Sequence, residues 1–275
     1  KRLMVIPFDH PLRQKVDNNW RCTRVNVANL TGEQQAMVFD IVRGLHSPEY
    51  RKTVMAQIEH DNGGAARFGF GQCSVAVFGE PGTGKFEFVL SGRHVTRRCD
   101  GDSVAGAAFG GPIFYGPAAE GFYEKPDHPG NAYWFQAKRA NEVFQALDGK
   151  QRKLALRTDP RREQGTKTVR LSGKKTGLAG IRVGELAWDQ KKLVRKVMAD
   201  LLAPFREQDV RESMKLVEAG GFDNLHMAFY KNLDLGKDKV WDVWQIEGPA
   251  MVWYFRGHPH VHTWVNIQHP RRRTL

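Results

Sequence analysis

At 275 residues, with 41% apolar and 26% charged side chains, the chain can bury a substantial core as one large domain or two small ones. No apolar run nears the ~20 residues that cross a bilayer, and three scattered cysteines (Cys22, Cys73, Cys99) argue against a disulfide scaffold or a cysteine-based zinc module. The formal charge of +12 is concentrated: residues 150–182 hold eleven Lys/Arg against two acids, Asp159 and Glu163, and Arg271–Arg273 add three more.

In chain order, the first signals are helical. Thr31 with Gln34 spells a capping box, followed by Met37, Ile41, Val42 and Leu45 at helical spacing. Ser47-Pro48-Glu49 predicts a second start, leading into Val54, Met55 and Ile58 and ended by Asp61-Asn62-Gly63-Gly64. The period then changes. Residues 73–78 and 86–90 predict two strands around a Gly79–Gly84 turn, and residues 92–98 continue the second strand across a bend. Phe109–Gly116 reads as a tight loop or strand flank, and His128-Pro129-Gly130-Asn131 as a turn and cap. A helix over 133–147 stops at Asp148-Gly149.

Beyond the basic stretch, Leu193, Val194, Val197, Met198, Leu201 and Leu202 form an amphipathic helix ended by Pro204, and a shorter helix covers 210–218. Strands over 240–246, 251–255 and 260–267 come next, with Trp241, Trp244, Trp253 and Trp264 read as core. Helices and strands come in blocks rather than in βα alternation. The expected fold is α+β: a mainly antiparallel sheet built from two strand blocks with flanking helices, in a single domain with a solvated basic insertion at about 150–182.

Gly79-Glu80-Pro81-Gly82-Thr83-Gly84-Lys85 spells most of a phosphate-binding loop, but Phe86 stands where a magnesium-binding hydroxyl belongs. The succeeding stretch, Phe86-Glu87-Phe88-Val89-Leu90, alternates like a strand rather than opening a helix. A hairpin turn is expected, and no nucleotide.

The densest chemistry is Gly257-His258-Pro259-His260-Val261-His262-Thr263-Trp264. Residues two apart on a strand share a face, so His260 and His262 could offer two imidazoles to one metal ion. His258 would lie about 13 Å from His262 if the strand reached it, too far to share that ion. In Ser91-Gly92-Arg93-His94, His94 is the best-placed third imidazole and Arg93 could hold an anionic group. Glu247, at the end of a neighbouring strand, could be a ligand or a general base. Cys99 has no base beside it and is expected to be buried and inert.

These motifs, together with Gly82–Phe88, Phe109–Gly116, Leu147–Arg152 and Glu247-Gly248-Pro249, resemble domain-of-unknown-function family 3500, a bacterial, planctomycete-type group. The resemblance runs from about Pro7 to Ile267. It implies an exported protein of the periplasm or cell envelope, for which a chain starting at Lys1 would be the processed form; it implies no established activity. The wider family often shows Gly-His-His at Gly92-Arg93-His94 and a carboxylate near Tyr254, and both departures remove a possible ligand.

The expected function is that of a metal-dependent enzyme, oxidative ahead of hydrolytic. His94, His260 and His262 would hold one copper, iron or zinc ion, Arg93 would orient an anionic small molecule, and Glu247 would shuttle a proton. The alternative is a non-catalytic cell-envelope module whose basic stretch docks an acidic protein. Nucleic acid is a distant third, since the basic stretch lacks interleaved aromatics.

Overall fold

The computed structural model describes residues 4–117, 133–234 and 240–269. The fold is α+β, built on one continuous, mostly antiparallel sheet of eleven strands. The first block comprises β1 (Val5–Ile6), β2 (Ser74–Glu80), β3 (Lys85–Gly92), β4 (Val95–Cys99) and β5 (Ile113–Tyr115). The second comprises β6 (Leu156–Arg157), β7 (Ile181–Arg182), β8 (His226–Tyr230), β9 (Val243–Gly248), β10 (Met251–Arg256) and β11 (His262–Ile267). Strand order is β1-β2-β3-β4-β5-β11-β10-β9-β8-β6, with β7 also paired to β8. The two blocks are therefore joined along one seam, β5 against β11.

Alternation along the strands separates two cores. Ile113, Trp253 and Val265 face the helical side, where they meet Val54 and Ile58 of α2 (Arg51–Asp61) and Val197, Met198 and Leu201 of α5 (Trp188–Leu202). Helices α1 (Gly32–Gly44), α3 (Trp134–Ala146), α4 (Gly149–Ala155) and α6 (Glu207–Ala219) complete that layer. Their neighbours Phe114, Tyr254 and Trp264 face the other way, under irregular chain carrying Val16, Val169 and Leu171. No helix among the described residues is long and apolar enough to cross a membrane.

Several local readings hold and several shift. Thr31 caps α1 in the expected box with Gln34. α2 starts later than expected, because the Ser47 carbonyl accepts from the Tyr50 and Arg51 amides in a turn before the helix. Asp148 does not merely end α3. Its carboxylate accepts from the Lys150 and Gln151 amides at 2.8 Å and opens α4 with a second capping box. β8 was not expected from the sequence; like β10 and β11 it is buried on both faces. The His128–Asn131 turn lies outside the described residues.

The Gly-rich loop is a hairpin: Glu80 pairs with Lys85, Gly79, Gly82 and Gly84 take positive φ, and the chain runs straight into β3. Residues 92–98 are not one bent strand either. Gly92 pairs with Val95, leaving Arg93-His94 as a two-residue turn. The basic stretch is largely exposed but tied into the sheet. Its ends form β6 and β7 on β8, and Thr168 and Val169 are buried in the cover of the non-helical face. Ten of its eleven bases are exposed, Arg161 being turned in to Glu247, while Glu163 is half-buried.

That cover is pinned partly by charge. Glu87 is fully buried between Arg13, at 2.8 Å, and Arg98, which also donates to the Arg13 and Lys15 carbonyls. Replacing one partner of a buried pair strands the other charge. Glu87→Ala is expected to lower stability by ~3–5 kcal/mol in urea unfolding; an unchanged midpoint would mean that the guanidiniums find other acceptors.

Candidate metal centre

The site forms at the end of the seam. Asn62, the cap of α2, accepts from the Arg93 amide at 2.9 Å and donates to the Arg93 carbonyl at 3.1 Å. On the other side, the His94 amide donates to the Asn18 carbonyl at 2.7 Å. Clamped from both sides, His94 is held at φ 55°, a region that costs an L residue roughly 1–2 kcal/mol. A non-glycine residue kept there by its surroundings is a mark of a functional position.

His262 opens β11. Tyr115 in β5 lies opposite Val95 on one side and Thr263 on the other, so His94 and His262 flank Gly116. Gly116 carries nothing on that level, and a Cβ added to it would sit 1.8 Å from the Val261 carbonyl oxygen. The two rings lean towards each other past the end of this short strand, bringing His94 Nε2 to 3.0 Å from His262 Nε2.

His260 arrives from a bend that comes after a cis His258–Pro259 peptide. Its Nε2 lies 3.1 Å from that of His94 and 3.0 Å from that of His262. The strand begins only at His262, so the pair is brought together by the bend rather than by strand alternation. His94 and His262 are buried, whereas His260 is partly exposed. The three histidines are close enough to hold a metal ion.

The outward nitrogens set the polarity of the rings. His262 Nδ1 lies 2.6 Å from Glu163 Oε2, with Arg256 Nη2 also against it, and Arg256 Nε donates to the other oxygen of that carboxylate at 2.7 Å. His94 Nδ1 faces Asp61 Oδ2 at 3.6 Å. Gln57 donates to Asp61 and to the Gly116 carbonyl from the same amide nitrogen, tying α2 to the end of β5. Where a carboxylate keeps the hydrogen on Nδ1, the ring turns its Nε2 lone pair inward.

Burial pushes the pKa of His260 down to about 3, helped by His262, His94 and the charges of Arg256 and Arg93. Burial likewise brings His262 down to about 4, against the pull of Glu163. For Glu163, burial acts upward but is outweighed by His262 and Arg256, which hold the carboxyl at about 2. At neutral pH these two imidazoles are unprotonated and the carboxylate behind them is ionised. That is the state in which imidazole binds metal.

Of the residues expected from sequence, His94, His260 and His262 meet. Arg93 sits exposed at the tip of the same turn, beside the triangle rather than in it. Glu247 is not brought to the site: it is paired with Arg161 at 2.6 Å. It lies four residues along β9 from Val243, whose partner Arg256 is level with His262, or about 13 Å at strand spacing. Cys99 is half-buried rather than fully buried, and burial drives its thiol up to about 12.

Asp61, Glu163, Arg256 and Gly116 were missed. Asp61 left a readable trace, because an acid in the last turn of a helix opposes the helix dipole and so has another task. Glu163 and Arg256 left none, since their roles depend on a contact between residues 93 positions apart.

Among known proteins, a family model described as a protein of unknown function (DUF3500) matches residues 1–271. No curated protein and no solved structure matches the chain.

Proposed function

We propose that this chain, which belongs to the DUF3500 family, is a metal-dependent enzyme whose centre is one transition-metal ion held by Nε2 of His94, His260 and His262. The observation that carries this reading is the triangle of nitrogens 3.0–3.1 Å on a side. Three nitrogens bonded to one ion at about 2.0–2.1 Å take such separations, with angles at the ion of roughly 95°. That is nearer the ~90° of an octahedral face than the wider angle of a tetrahedron.

When both rings carry their hydrogen on Nδ1, the two Nε2 lone pairs face each other at 3.0 Å, and an ion between them would relieve the repulsion. Carboxylates behind two of the three rings add the support that metal-bound histidines ordinarily have. Imidazole ligands on one face suit copper or iron, with the opposite positions free for water, dioxygen or substrate; a zinc hydrolase is the nearest competitor. Arg93, beside the triangle, favours an anionic small molecule as substrate.

Metal analysis of protein purified from its native host tests the reading. About one equivalent of copper, iron or zinc per chain is expected, and a His260→Ala/His262→Ala variant should carry none. Native protein that is metal-free, and that takes up none of the three on reconstitution, ends it.

A further inference from the structure

A cleft of about 450 Å³ opens at the tip of the β3–β4 turn, bordered by Arg21, Arg67 and Arg93, by the amides of Asn19 and Gln72, and at its inner end by Asp61. Its size falls within the ~300–1,000 Å³ of small-molecule sites. The three guanidiniums are exposed, and none forms an ion pair among the described residues. The single carboxylate does not neutralise them, because its side chain is buried and turned to His94 and Gln57. Of the other seventeen described arginines nine are ion-paired, among them Arg139, Arg161, Arg195, Arg206 and Arg256.

Three like charges around one concavity focus a positive potential into it. Guanidinium forks match carboxylate and phosphate oxygens two at a time. The cleft wall is tightly packed behind Arg93: at Gly92 an added Cβ would lie 2.7 Å from Asn62 Oδ1. Two residues connect the cleft to the metal centre. Arg93 is the chain neighbour of His94, and Asp61 borders the cleft while facing the His94 ring.

We propose that this cleft binds the oxyanion group of a small-molecule substrate, a carboxylate or a phosphate, through Arg21, Arg67 and Arg93. The remainder of that molecule then extends towards His260, the partly exposed ligand. The substrate role rests on the metal reading; the anion site does not.

The test is calorimetric titration of the full chain as purified, at low salt, with inorganic phosphate and separately with citrate. Saturable binding of at least one probe is expected, weakened tenfold or more in Arg21→Gln/Arg67→Gln, whose exposed side chains can be changed without disturbing the core. The tighter probe identifies the head group. Binding by neither, or undiminished binding by the variant, overturns the proposal. A His260→Ala arm separates the two readings: anion binding should persist there, so metal-free native protein that still binds anion defeats the metal centre and spares the cleft.

Discussion

His262→Ala is expected to abolish metal binding, and Glu163→Gln to weaken it about 10–100-fold with the fold intact. The two substitutions act on the same ring from opposite sides. His262 supplies the inward Nε2, whereas Glu163 faces the outward Nδ1 at 2.6 Å and shares its charge with Arg256. Glutamine keeps an oxygen for Nδ1–H but loses the negative charge that makes the imidazole a better donor to metal. It also leaves Arg256 without its ion partner, so a modest fall in unfolding midpoint should accompany the loss of affinity. Chelator competition, read for wild type, Glu163→Gln and His262→Ala, gives the order directly. Equal affinity in wild type and Glu163→Gln would show that the carboxylate serves only Arg256; metal retained by His262→Ala would remove that histidine from the site.

Gly116→Ala should damage both stability and site. Its Cβ would fall 1.8 Å from the oxygen and 2.7 Å from the carbonyl carbon of Val261, main-chain atoms that cannot swing aside. Relief requires the end of β5 to part from the chain entering β11, and overpacking of this kind costs typically ~1–3 kcal/mol. Val261 directly precedes His262, so the same movement opens the nitrogen triangle. Metal affinity should drop at least tenfold, alongside a lower thermal midpoint. If Gly116→Ala melts early yet binds metal like wild type, the triangle is held by the carboxylates behind the rings alone.

Much of the site was legible because its ligands sit in short, chemically dense stretches. Gly92-Arg93-His94 ends a strand pattern, and His260-Val261-His262 begins one. The α+β character was legible for a similar reason, since α3 and α5 bury one-sided apolar patterns and the strands after 240 are short apolar runs between turn residues, whereas Met37 and Ile41 of α1 are exposed. What escaped was the pairing of elements distant in sequence. β8 takes its place by pairing with β6, β7 and β9, two of them short strands of the basic stretch, and in that stretch eleven bases against two acids hid the segments that join the sheet. Its one useful acid, Glu163, is defined by Arg256 and His262, far along the chain. Glu247 misled for the converse reason: closeness in sequence to the histidine pair became distance along a strand.

The seam between β5 and β11 also dictates when the centre can come into being. His94 and His262 are separated by 168 positions, and closing so wide a loop is an entropic burden discharged only once the intervening chain has collapsed. A nascent polypeptide bearing the first histidine alone has no pocket to offer an ion. If the centre takes a metal as proposed, capture must follow the joining of the two strand blocks, and occupancy would report that they have found one another.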